Sequence, residues 1–135
     1  MKKIVLFIIT FHLIGGLWSA GQESTNDKSP SDAIDVSLIK LIANGAPYDG
    51  KYIRVRGYFR FDTREDHETQ ALFPSHDDAI NITNGIWLRF NPGFDERDIA
   101  NKWIFVEGVF QNNKHGWMNL YEAEIVNVNR AIRIR

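Results

Sequence analysis

The chain has 135 residues, 44% of them hydrophobic and 13% aromatic, with 16 basic and 17 acidic side chains and a net charge of −1. That length fits one domain with enough bulk for a core, and the charge balance lacks the positive potential on which non-specific nucleic-acid binding relies. There is no cysteine, which excludes disulfides, thiolate metal sites, a cysteine nucleophile and a lipid-modified N-terminal cysteine.

Residues 1–21 read as a secretory signal. Lys2 and Lys3 form a basic start, residues 4–14 an apolar run broken only by Thr10 and His12, and Gly15 and Gly16 end it. Ser19, Ala20 and Gly21 then supply the small residues a signal peptidase accepts. The run is shorter than the roughly 20 residues of a spanning helix; an uncleaved N-terminal anchor is the alternative. Cleavage removes two basic residues and no acidic one, so the mature charge becomes −3. The expected location is the periplasm or the medium, with membrane contact only in transit. Residues 22–33 are polar and carry Pro30, as a flexible linker would. The folded domain is expected over residues 34–135.

Residues 36–44 have the spacing of a short helix, with Ile34, Leu38, Leu41 and Ile42 on one face. Asp35 or Ser37 can cap it, and with Asp35 as cap Ile34 and Ile39 fall at staple spacing. Gly45 is expected to end it in the left-handed conformation, and residues 48–50 turn into the first strand.

That strand, residues 51–61 (KYIRVRGYFRF), alternates strongly. Ile53, Val55, Phe59 and Phe61 share one face with Gly57, while Tyr52, Arg54, Arg56, Tyr58 and Arg60 share the other. The pattern recurs in KWIFVEGVF, which matches Ile53 with Ile104, Val55 with Val106 and Gly57 with Gly108. Glycine inside a long strand permits the coiling a small barrel needs. Equivalent curvature in two barrel strands explains the match more simply than duplication does.

Further along, residues 62–68 read as a charged loop, 69–73 as a short strand and 75–79 as a helical turn. Residues 85–90 read as a third strand, 95–101 as one or two helical turns and 102–111 as a fourth strand. A hairpin loop at 112–116 leads to a last strand over 117–128, whose alternation slips near Ile125 and Val126 as at a bulge. The alternating tail, residues 130–135, can extend it.

Five strands with one or two short helices predict an all-β chain: a five-stranded, OB-like Greek-key barrel. In residues 36–59, 84–90 and 103–130 the chain resembles a group of small exported bacterial OB-fold proteins of unassigned function. The resemblance implies no catalytic residues. OB barrels present strands 2 and 3, with the loops joining strands 1–2 and 4–5, to oligonucleotides or oligosaccharides; here those loops are residues 62–68 and 112–116.

The candidate ligand-binding residues are Arg54, Arg56 and Tyr58 on the first strand, with Trp87 and Arg89 beside them and His115 and Trp117 at the rim. Aromatic rings stack on bases or sugars, and guanidinium pairs with phosphate or carboxylate. The plainer alternative is an outward face whose arginines pair with acids such as Glu107, Glu122 or Glu124; pairing of all of them would remove the main support for nucleic-acid binding. His67 and His76, among the acids of residues 65–68 and 76–78, are weak metal-ligand candidates, because a site needs three or four converging ligands. No GxSxG, glycine-rich phosphate loop or HExxH occurs. The expected function is therefore binding of a protein or envelope component, without catalysis or cofactor. Polyanion binding on the barrel face is the first alternative and a metal-assisted hydrolase the second.

Overall fold

The computed structural model describes residues 32–65 and 67–135. The expected signal and most of the expected linker lie outside the described residues. The elements are β1 (Ile34–Asp35), α1 (Leu38–Asn44), β2 (Tyr52–Arg64), β3 (His67–Phe73), α2 (His76–Asn81), β4 (Ile86–Phe90), β5 (Lys102–Gln111) and β6 (Ala123–Arg133).

Antiparallel pairing joins β2 to β3, β3 to β4, β5 to β6 and β5 back to β2, and β4 runs parallel to β6. This closes a five-stranded mixed barrel in the expected OB-like order, and β1 adds in parallel to β2. One strand can serve two neighbours because β2 is 13 residues long. Its first part, from Tyr52 to Phe59, pairs with β5, and its second, from Tyr58 to Arg64, pairs with β3.

The alternation of β2 and β5 sends Ile53, Val55, Phe59, Ile104, Val106 and Phe110 inward, where none is more than 1% exposed. Leu72, Ile86, Leu88, Ile125 and Val128 complete the interior, and Leu38 and Leu41 of α1 join the same core. Each such side chain contributes about 1.5–3 kcal/mol on burial.

The repeated pattern has a geometric meaning. Val55 pairs with Val106, Ile53 faces Gly108 and Gly57 faces Ile104, so the two strands are related by a local twofold between the valines. A Cβ on Gly57 would lie 2.6 Å from Leu72 Cγ and 2.9 Å from the Phe73 carbonyl oxygen; one on Gly108 would lie 2.7 Å from Ile125 Cγ2 and 2.8 Å from the Val126 oxygen. Each glycine therefore admits a third strand where the barrel curls. Beside Gly108 the β5–β6 register shifts, and Asn127 adopts φ 52°. This is the expected bulge, one residue further on.

Four local expectations are corrected. Residues 62–68 are largely strand: Asp62 pairs with Thr69 and Thr63 with Glu68, and their charges form a ladder in which Asp62 accepts from Arg64 at 2.6 Å and Arg60 at 3.5 Å. Ser37 caps α1, its Oγ accepting from Lys40 N at 3.2 Å, while Asp35 lies in β1, so the Ile34–Ile39 staple does not form. Gly45 is right-handed at φ −78°; it is glycine because a Cβ would meet Asn112, the Leu41 oxygen and Phe110 at 2.5–2.8 Å. Residues Trp117–Asn119 form a 3-10 turn instead of opening the last strand, which begins at Ala123 and runs into the tail.

Candidate functional site

The face that OB barrels commonly use for ligands is covered here by the chain itself. Ala71 and Phe73 of β3 and Trp87 of β4 point away from the main core into a second small one, closed by Ala79 of α2 and by Tyr121, with Ile82 and Trp117 packed against it. The Trp87 and Tyr121 ring centroids are 5.0 Å apart. Gly116, at φ 62°, lies so close to Trp87 that a Cβ would come within 2.5 Å of its side chain. His115 Nδ1 is 2.9 Å from the Tyr121 carbonyl oxygen, which can only accept, so that nitrogen carries the proton and ties the loop down. Arg60 Nη1 donates to the Ala79 oxygen at 2.6 Å and holds the end of α2. Trp87 is 6% exposed. Of the candidate ligand-binding residues, Trp87 is therefore buried in this second core, and His115 and Trp117, both half-buried, belong to the segment that covers it.

The arginines divide differently. Arg89 donates through Nε and Nη2 to Glu124 Oε1 at 3.1 and 2.6 Å. Arg54 Nε donates to Glu107 Oε1 at 2.7 Å and its Nη1 lies 3.4 Å from Asp35. Arg130 Nη1 reaches the same Glu107 oxygen at 3.2 Å, and the Tyr52 hydroxyl lies 3.2 Å from Glu107 Oε2. Glu107 is buried although its side chain points outward, because these three residues cover it. A buried carboxylate needs such partners. Burial pushes the Tyr52 hydroxyl above its ordinary pKa; the Asn129 hydrogen bond opposes the shift and the Glu107 charge adds to it. Arg56 is exposed and, among the described residues, has no carboxylate partner.

The backbone sets the two candidate metal-ligand histidines at different ends of β3, His67 at its start and His76 past its far end. β3 begins at His67 and ends at Phe73, and His76 follows in α2. At about 3.3 Å per residue the strand spans roughly 20 Å from His67 to Phe73. Among the described residues no group of three or more His, Asp or Glu could hold a metal. The His76 ring instead meets the half-buried Tyr58 ring edge-on at 5.0 Å.

What stands open is the outer side of β2, β5 and β6, where side chains form three rows. Tyr58 pairs with Trp103, and Ile134 N donates to the Trp103 oxygen at 2.9 Å. Arg56 pairs with Phe105, and Phe105 with Ile132; Arg54 pairs with Glu107, and Glu107 with Arg130. Trp103, Phe105 and Ile132 are 43%, 40% and 45% exposed. Trp103, Phe105, Arg54, Arg56 and Ile134 floor a groove of about 760 Å³, walled by residues 35–39 and Pro74, and a hollow of about 350 Å³ adjoins it over Phe105, Ile132 and the ionic row. Sequence reasoning placed Arg54, Arg56 and Tyr58 here but missed Trp103, Phe105 and Ile132. The signal was present: in WIFV both faces of the strand are apolar, although a barrel buries only one.

No protein-family model matches the chain, and no curated protein does. Among solved structures it is similar to a DUF3299 family protein from Pseudomonas aeruginosa PAO1, at 14% identity and a TM-score of 0.48. The match covers 66% of this chain and 64% of that one, just under two thirds of its length. Among the described residues no helix is long and apolar enough to cross a membrane.

Proposed function

We propose that this chain is an exported binding domain that recognises a protein partner through the outer face of β2, β5 and β6, and that it performs no chemistry of its own. The observation that carries this reading is the run of Trp103, Phe105 and Ile132, each 40–45% exposed, across the groove beside Arg56 and the hollow that adjoins it. Contiguous exposed apolar surface marks interaction sites, and aromatic residues with arginine dominate interface energetics. The polyanion alternative loses two of its three arginines, since Arg54 and Arg89 already hold Glu107 and Glu124. A pull-down from envelope extract tests the reading, comparing the intact chain with an Arg56→Gln/Trp103→Ser/Phe105→Ser variant. The intact chain is expected to retain a partner that the variant loses; equal retention by both refutes the proposed face.

A further inference from the structure

The three rows of the outer face differ in what they leave open. In the ionic row Arg54 and Arg130 share Glu107, and Asp35 lies beside Arg54, so both cations have carboxylate partners. Among the described residues Arg56 has no carboxylate partner, and it lies in the groove beside the exposed rings of Trp103 and Phe105. Among the described residues the groove therefore carries one positive charge with no carboxylate partner, on a chain whose net charge is −1.

We propose that this face reads a short pattern in an extended segment of the partner: one acidic side chain with an apolar side chain two residues away. This rests on the protein-binding reading above and names the chemistry it recognises. Arg56 takes the carboxylate, because a guanidinium presents paired donors that match its two oxygens. Trp103 and Phe105 take the apolar side chain. The spacing follows from the register. Arg56 pairs with Phe105, which makes Trp103 its diagonal neighbour. Diagonal neighbours across an antiparallel pair lie about 7–8 Å apart, close to the roughly 6.8 Å between alternate side chains of an extended peptide. Arg56, the arginine of this groove without a carboxylate partner among the described residues, suits one carboxylate; a nucleic acid or polyphosphate asks for several.

The test uses the isotopically labelled full chain and four soluble probes, followed by backbone amide shifts. One probe is a serine-rich peptide amide with glutamate two residues before phenylalanine. The second replaces that glutamate with glutamine, the third replaces the phenylalanine with alanine, and the fourth is inorganic polyphosphate. The expected result is that the first peptide shifts residues 56, 103 and 105, and that the glutamine and alanine peptides bind about tenfold more weakly or worse. Arg56→Gln, an exposed change that leaves the core intact, is expected to bind the glutamate and glutamine peptides alike. Equal binding of those two peptides to the unaltered chain overturns the proposal, as does an absence of shifts at these residues or tighter binding of polyphosphate than of the first peptide. Partner capture lost on altering this face, with peptides that ignore the glutamate, would leave the protein-binding reading standing and remove only the acidic pattern.

Discussion

Arg54 and Glu107 face each other across β2 and β5, with the guanidinium Nε donating to the carboxylate at 2.7 Å. This one contact changes how the arginine-rich strand should be read. Arg54 shields a carboxylate whose side chain is only 4% exposed and is not offered to a ligand. With Arg130 on the same oxygen, Glu107 neutralises one end of the face and leaves Arg56 to act alone.

Removing Glu107 should therefore do two things. Glu107→Ala is expected to lower stability by about 1–3 kcal/mol, since Tyr52 loses a buried partner and two arginines lose theirs; urea denaturation measures this. The same variant takes one carboxylate away from a face that carries Arg54, Arg56 and Arg130 and should gain retention on a heparin column, falling steeply with salt. Unchanged retention would mean that Glu107 does not control the charge of this face.

Trp87 and Trp103 should separate cleanly. Trp87 closes the second core, so Trp87→Ala should destabilise the fold by about 3–5 kcal/mol. Trp103 is 43% exposed, so Trp103→Ser should alter the denaturation midpoint little while abolishing partner retention. The comparison needs only thermal melts and the pull-down.

The glycines that let the barrel curl are the next target. Gly108→Ala places a methyl group 2.8 Å from the Val126 oxygen, and backbone cannot step aside as a flexible side chain would. A loss of about 1–3 kcal/mol is expected, with β5–β6 amides exchanging faster than those elsewhere in the barrel. Wild-type stability would show that β6 shifts without penalty.

Acid should loosen the cover over β3 and β4. The Asp78 carboxylate accepts from Ser75 Oγ at 2.6 Å, Asn84 Nδ2 at 2.8 Å and Thr83 Oγ1 at 3.1 Å. The Ser75 bond, then those from Asn84 and Thr83, hold its pKa below the ordinary 3.8 against a smaller opposing effect of burial. Because the folded pKa is the lower one, its stabilisation is present above about pH 4 and is lost as pH falls through the folded value. Asp78→Asn should flatten the dependence of the melting temperature on pH below about 4, a region where wild type declines; an unaltered slope would contradict this role.

The fold was legible because its main signal is periodic. Ile53, Val55, Ile104 and Val106 could be assigned inward from alternation alone, and the matched glycines pointed to curvature. The hairpin at residues 62–68 is not legible locally, because a run of charge has the composition of a loop, whereas Arg60, Asp62 and Arg64 are outward strand residues that satisfy one another. The site was legible only in part. Arg56 and Tyr58 follow from the strand's parity, but nothing local shows that Trp87 will be covered, since its cover, Tyr121, arrives from 34 residues away in sequence. Which arginine stays free depends likewise on where β5 and β6 place their acids.

The central claim, that a protein partner sits over the outer face of β2, β5 and β6, is tested most directly by site-specific photo-crosslinking in cells that make the full chain. A benzophenone-bearing residue replaces Phe105 in one variant and Ile80, which is 60% exposed on α2, in another. A discrete protein adduct from position 105 and none from position 80 is predicted. No adduct from position 105, or the same adducts from both positions, would contradict it.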